Sequence, residues 1–368
     1  MNPQTLSESQ PAPGAETAPS ADLSPRRPRE ADHLPTLDAL RGFAALAVCW
    51  FHLTTAQFYE TFGVYGFTGK YGYLGVQIFF VISGFVIPFS MLRSEYRVGA
   101  FFKFMLKRIT RLDPPYLVSI ALVLSGYYFS SLRPGHPPYR VDWTQVAAHL
   151  GYVNAFVHLP WLQMSYWSLA VEFQYYIFVG LCFPFLALRK RWAPAVIVVL
   201  LGAASLLAGK NDQLLPHFLP LFALGILAFR SRCLKDPLFV TLGALVAAAV
   251  LAVYVDGWLQ ACVAAATCAL ILWVNIRGRI FTFLGNISYS LYLMHVFVGD
   301  IVYGLAIRWL HITPAVRYSM PLVALVGALV GAYLMNVFVE FPSRQLAARL
   351  SYKPKVKRKP NGLETHAV

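Results

Sequence analysis

Charge is scarce in this chain. Only 13% of its 368 residues are Asp, Glu, Lys or Arg, about half the share found in soluble domains. Hydrophobic residues make up 57% and the mean hydropathy is +0.54. That balance excludes a soluble two-domain organisation and points to a single polytopic membrane domain with short tails. Paired cysteines are also lacking. The five present are Cys49, Cys182, Cys233, Cys262 and Cys268; the number is odd and no CxxC occurs, so neither a disulfide framework nor a zinc site is indicated. HExxH, Walker A and GxSxG motifs are absent, as is a glycine-rich dinucleotide loop after a strand. Nothing points to a metal. Residues 1–34, rich in Pro, Ala, Ser and Glu, have no apolar run; they read as a disordered tail and not as a signal peptide.

Long apolar runs are plentiful. Windows of about twenty such residues mark helical spans. They predict an all-α protein of about ten transmembrane helices, at 37–58, 72–92, 114–132, 166–188, 193–209, 214–230, 237–255, 258–275, 284–307 and 320–341. The net charge of +14 is a topology signal. With a cytoplasmic N-terminus, 24 of the 31 Lys and Arg residues fall in inner segments, six in outer ones, and Arg41 within the first span. Both termini are therefore expected in the cytoplasm, and nucleic-acid binding is not. The domains expected are a cytoplasmic tail over 1–34, a membrane domain over 35–345 and a basic cytoplasmic tail over 346–368. The inner loop 93–113 interleaves Phe101, Phe102, Phe104, Met105 and Ile109 with Lys103, Lys107, Arg108 and Arg111, a pattern suited to an amphipathic helix on the inner membrane surface. The outer loop 133–165 is rich in aromatics, which suit a membrane-interface belt and sugar stacking equally.

Ionisable groups inside spans are functional candidates, because burying them in lipid is unfavourable. Arg41 and His52 lie eleven residues apart in the first span, about three helical turns, so they share a face ~16 Å apart. Arg41 is ~6 Å in from the cytoplasmic end and His52 ~22 Å. Glu172, early in span four, is expected at the depth of His52, where a carboxylate would raise the basicity of the imidazole and fix its tautomer. A hydrogen bond that only holds two helices together is the plainer alternative. Arg108 and Arg111, three apart in RITRLDP, share a helix face and suit phosphate, or simply anchor to acidic lipid. Trp167 and Ser168 stand beside Glu172 in WSLAVEFQYY. Tyr289, Tyr292 and His295 fall near one face of span nine, His295 ~14 Å deep; a satisfied core histidine is the alternative there. Glu340 and Arg344 are spaced for a structural pair.

Five segments in this order, LDALRGFAALAVCWFH (37–52), GVQIFFVISGF (75–85), RITRLDPPY (108–116), WSLAVEFQYY (167–176) and LGNISYSLYLMH (284–295), resemble the acyltransferase-3 family of integral membrane acyltransferases. The resemblance runs from about residue 36 to 345. Asp113 and Phe173 depart from the expected pattern. No long extension follows residue 345, so the SGNH hydrolase-like domain fused to some members is expected to be absent. The resemblance implies transfer of an acyl group, often acetyl, from cytoplasmic acyl-CoA to a hydroxyl of a sugar or other small molecule. It further implies that Arg41 and His52 are needed for activity and that the protein sits in the cell's inner (plasma) membrane. The mechanism expected has acyl-CoA as donor substrate with no tightly bound cofactor. Arg41, Arg108 and Arg111 would hold it, His52 would act as general base with Glu172 orienting it, and an acyl-histidine intermediate is the alternative. Ser83, Trp167, Ser168, Tyr289, Tyr292 and His295 are the possible oxyanion or substrate contacts. A transporter or flippase of a glycan or lipid-linked substrate, or a non-catalytic sensor on the same frame, would share the composition. Consumption of the donor separates the enzyme from both.

Overall fold

The computed structural model describes residues 34–56, 64–135, 137–209, 211–311 and 313–350. Residues 1–33 of the expected tail 1–34 and residues 351–368 of the expected tail 346–368 lie outside them, as does His136 of the expected outer loop; residues 346–349 of the latter tail are helical. Among the described residues there is no strand. The chain forms α1 (Pro35–Phe51), α2 (Val64–Gly69), α3 (Gly75–Arg93), α4 (Phe101–Ser131), α5 (Trp143–Leu150), α6 (Asn154–Val157) and α7 (Tyr166–Leu186). It continues through α8 (Ala193–Leu207), α9 (Leu215–Phe229), α10 (Leu238–Asp256), α11 (Trp258–Trp273), α12 (Arg279–Trp309), α13 (Pro314–Met335) and α14 (Phe341–Arg349). Among the described residues, six stretches are long and apolar enough to cross a bilayer: Val64–Arg93, Tyr166–Leu186, Leu215–Leu234, Leu238–Asp256, Arg279–Trp309 and Pro314–Arg349. The helices Ala193–Leu207 and Trp258–Trp273 are apolar but shorter. The outward faces of α10 (Val246, Val250, Val253) and α13 (Val323, Val326, Val330) are exposed. Apolar residues turned outward at helical spacing are what lipid solvates and water does not.

Small residues set how closely the helices pack. On α13, Ala324, Ala328 and Ala332 are fully buried in a cluster with Ile287, Leu291 and Tyr303 of α12 and with Ala45 and Cys49 of α1. Alanines four apart make a flat stripe on which a neighbouring helix can seat. The α3–α9 crossing is tighter still. A Cβ built on Gly225 would collide with the carbonyl of Val81 and with Gly84, and one on Gly84 with the carbonyl of Phe222. Only glycine at both positions lets the two backbones touch. Gly225→Val should therefore lower the thermal stability of the purified protein by several degrees or abolish the folded peak in size-exclusion chromatography, because overpacking destabilises by about 1–3 kcal/mol or more. Gly243→Val on α10, where a Cβ meets nothing within 4 Å, is the control. Equal melting of the two variants would refute the close-approach argument.

The sequence suggested a surface helix over 93–113 followed by a separate span. The structure joins them into one 31-residue helix, α4, which runs through Pro114 and Pro115. At ~1.5 Å per residue α4 is longer than a ~30 Å hydrocarbon core, so one helix carries both the basic segment and the apolar segment that the sequence divided between a surface helix and a span. The prolines have no N–H to give the carbonyls of Thr110 and Arg111, which opens the helix beside the arginines. The outer loop also differs from a plain surface connection. It folds back along α4: Tyr127 donates to the Leu162 carbonyl at 2.8 Å and Tyr152 to Asp113 at 3.0 Å. Its hub is fully buried His149, whose Nε2 accepts the Leu162 N–H at 3.0 Å. Burial holds this imidazole below its ordinary pKa, in the neutral form that accepting bond requires. Asp113 and Phe173, the two departures from the family pattern, meet on one side chain: Tyr152 also stacks on Phe173 at 4.4 Å.

At the opposite end of the bundle Arg230 is fully buried. It donates to the Leu186 and Leu188 carbonyls and forks onto Asp236 at 2.8 and 3.1 Å. This basic residue closes the end of α7, so its role is structural.

Candidate active site

α1 holds the first two site residues. Its face turns onto α12 where Gly42 lies against Leu284 and Gly285, with Gly285 against Asp38. A Cβ on Gly42 would stand 2.6 Å from the Leu284 Cβ, and one on Gly285 2.6 Å from the Asp38 Cβ. That approach brings the far end of α1 against the middle of α12. There the helix widens into a π-turn, His52–Ala56, an irregularity often found at functional sites. His52 is buried. Its ring packs on His295 at 5.1 Å between centroids and edge-on against Phe51 at 5.1 Å.

The tautomer of His295 follows from its partner. Nδ1 lies 3.1 Å from the Leu291 carbonyl; a carbonyl only accepts, so Nδ1 carries the hydrogen and Nε2 holds a lone pair. That Nε2 and the Nδ1 of His52 are both buried with no hydrogen-bond partner among the described residues. Two imidazoles with unspent ring nitrogens therefore lie side by side. Tyr292 continues the line, its ring 5.8 Å from His295.

Tyr292 opens onto a narrow cavity of about 100 Å³ whose wall includes Arg41, Ser83, Arg108, Arg111, Ser168, Glu172, Tyr176, Tyr289 and Glu340. The structure thus gathers the three predicted arginines, Glu172, Ser83, Ser168 and both tyrosines on one wall. His52 and His295 stand behind Tyr292 and are not part of that lining. Trp167 goes elsewhere: it stacks on Phe218 at 5.5 Å and faces a separate cleft at the other end of the bundle.

Glu172 is committed to the cavity wall. Its Oε1 accepts from Ser83 at 2.8 Å and from Tyr176 at 2.7 Å, and no hydrogen bond joins it to His52. The neighbour that the sequence spacing did not reveal is His295. Glu340 is equally occupied: Oε2 accepts from Ser290 N–H and Oγ and from Asn336. Arg344 stands 3.7 Å from its other oxygen, so the expected i,i+4 pair is present.

The hydroxyl protons are engaged too. Ser168 donates to the Ser165 carbonyl at 3.0 Å, so in its short bond with Tyr292 the tyrosine must be the donor. Tyr289 donates to the Leu112 carbonyl at 2.8 Å. The arginines are different. Among the described residues none of Arg41, Arg108 and Arg111 forms an ion pair. Arg108 lies over the rings of Phe104 and Tyr176 at 5.4 and 5.5 Å, which fixes its plane and leaves its donors unused. Three guanidinium groups without an ion-pair partner among the described residues are chemically suited to hold an anion.

A helical membrane bundle with buried histidines behind an arginine-lined cavity agrees with the family comparison. Residues 34–339 match the acyltransferase domain family, and the chain belongs to it. The curated relatives it resembles include O-acetyltransferase OatA of Staphylococcus aureus (strain NCTC 8325 / PS 47), 30% identical over 187 residues, or 48% of this chain and 28% of the relative. Another is the putative O-acetyltransferase SACOL0978 of S. aureus strain COL, 32% identical over 174 residues, or 44% of this chain and 26% of the relative. The matched segments span little more than a quarter of either relative. No solved structure matches the chain significantly.

Proposed function

We propose that the chain is a multi-pass O-acetyltransferase of the cell's inner membrane. In this reading ten helices cross the bilayer, both termini are cytoplasmic, and acetyl groups pass from acetyl-CoA to a hydroxyl of a sugar or other small acceptor. The observation that carries it is the set of three unpaired arginines on the cavity wall next to the histidine pair. A coenzyme A thioester bears phosphates at one end and its reactive carbon at the other, on an extended arm. The cavity is too narrow for a nucleotide, so the phosphates would rest at the mouth on Arg108, Arg111 and Arg41. The arm would run inward past Ser83 and Glu172 toward Tyr292.

At that end His52 is the general base. It takes the proton of the acceptor hydroxyl as the oxygen attacks the thioester carbon, and the tetrahedral intermediate collapses with loss of the coenzyme thiolate, which the imidazolium then protonates. His295, with its Nε2 lone pair turned to no other group, is placed to share the positive charge that develops on His52. Glu172 orients the wall through Ser83 and Tyr176. Tyr289, Tyr292 or Ser168 would have to exchange a present acceptor for the oxyanion. S. aureus OatA, named an O-acetyltransferase, supports the acetyl choice.

The test is consumption of radiolabelled acetyl-CoA by the purified protein in nanodiscs, with and without a panel of hydroxyl acceptors. Release of free coenzyme A together with label on the acceptor is expected. Label that never leaves acetyl-CoA, across the whole panel and with a folded protein, would favour the transporter reading.

A further inference from the structure

A second cavity lies at the end of the bundle opposite the arginines, where α3, α7 and α11 begin, α9 begins and α10 ends. About 610 Å³ in size, it is lined by Gln77, Trp161, Trp167, Asp212, His217, Asp256 and their neighbours. A smaller one of about 360 Å³ adjoins it and shares Pro160, Trp161 and Gln213. Both fall in the size range of small-molecule sites. Trp161 stands at the junction. Its indole N–H donates to Gln213 at 2.9 Å, and buried His149 supports its ring edge-on at 5.6 Å. An aromatic face is thus held in place between two chambers.

The polar groups of this cleft are not used up internally. Asp256 has a side chain only 3% exposed and meets His217 Nε2 at 3.4 Å through one oxygen. Its other oxygen, Oδ2, and His217 Nδ1 are buried with no partner among the described residues. An unsatisfied buried carboxylate oxygen is unfavourable unless something fills the site. Among the described residues the only fixed charges of the lining are acidic. Asp212 and Asp256 line the larger chamber, and no Lys or Arg among the described residues lines either, in a chain of net charge +14. Such a wall accepts hydrogen bonds and repels anions.

We infer that this cleft binds a neutral or amino-bearing polyhydroxylated chain at least two rings long, with Trp161 stacked at the junction and Asp256 and His217 taking ring hydroxyls or amines. Anionic saccharides are rejected. The inference rests on the acceptor side of the reading above, and gives that acceptor a charge and a length. The two cavities approach one another at a group of rings: Phe80, which lines the arginine-walled cavity, contacts Phe218 at 4.8 Å and Trp167 at 6.3 Å, and both of those line the cleft.

The experiment is calorimetric titration of the full chain in nanodiscs, without any acyl donor, with three disaccharides: N,N′-diacetylchitobiose, its deacetylated diamine, and digalacturonate. The first two should bind at least ten-fold tighter than the third. Trp161→Ala and Asp256→Asn should each weaken them at least ten-fold. Asp212→Lys, at an exposed position that folding tolerates, should narrow the discrimination by improving digalacturonate. Equal binding of the three, binding of none, or indifference to all the variants would overturn the inference. Donor turnover is measured separately. Acetyl-CoA consumption without disaccharide binding would sink the cleft and leave the enzyme, and binding without consumption would do the reverse.

Discussion

Replacing His52 by alanine should lower acetyl transfer by about 10²- to 10⁴-fold, the range expected for loss of a general base, with little change in donor affinity. The structural reason is the position of the imidazole. It stands on a π-turn at the end of α1, buried, with Nδ1 free of any described partner. A histidine that served only packing would have spent that nitrogen. His295→Ala should cost less, about ten-fold, because its proposed part is to share charge and not to take the proton. His295→Gln, which can still accept a hydrogen bond, should recover part of the loss, as a space-filling role would not require. The measurement is single-turnover transfer from radiolabelled acetyl-CoA in nanodiscs, with kcat and KM resolved. If His52→Ala turns over at the wild-type rate, the general-base assignment is wrong. If His295→Ala falls further than His52→Ala, the two histidines have exchanged roles.

Much of this site is legible in one dimension. Arg41 and His52 share a face because eleven residues make nearly three turns. Arg108 with Arg111, and Tyr289 with Tyr292, share faces because three residues make most of one. These are local facts of helix geometry; the structure brings Arg108 with Arg111 and Tyr289 with Tyr292 into one cavity lining, together with Arg41, while His52, on the π-turn after α1, stands outside it. Contacts between helices follow other rules. Depth alone placed Glu172 opposite His52, yet depth says nothing about rotation. α7 turns Glu172 toward α3, where Ser83 donates to it at 2.8 Å. The approach of His295 to His52 depends on Gly42 and Gly285, which let α1 and α12 touch; two glycines in apolar runs carry no visible sign of which helix they meet. The 133–165 loop shows the same limit. Its aromatics read as an interface belt, while its seat along α4 rests on the bonds Tyr127–Leu162 and Tyr152–Asp113, made across 35 and 39 residues, and on His149, which ties the loop to itself at Leu162.

Removing the guanidinium groups of Arg108 and Arg111 should act on the donor and not on the chemical step. Charge-assisted hydrogen bonds contribute about 1.5–3 kcal/mol each, so Arg108→Ala and Arg111→Ala should each raise the KM for acetyl-CoA by about ten-fold or more. The double variant should raise it by more than 100-fold unless one arginine takes over for the other. kcat at saturation should change little, since phosphates far from the reacting carbon are held equally in the ground and transition states. Arg108→Lys should recover only part of the loss. Lysine keeps the charge but has no flat fork to lie over the rings of Phe104 and Tyr176 while presenting two parallel donors. Donor KM in the wild type should also rise with ionic strength, and this dependence should flatten in the double variant. Arg277→Ala, at an exposed position outside the cavity, removes one charge and controls for a general loss of positive potential. Should the double variant bind acetyl-CoA as tightly as the wild type and the Arg277→Ala protein, the three unpaired arginines are not the phosphate site, and the donor must enter by another face of the bundle.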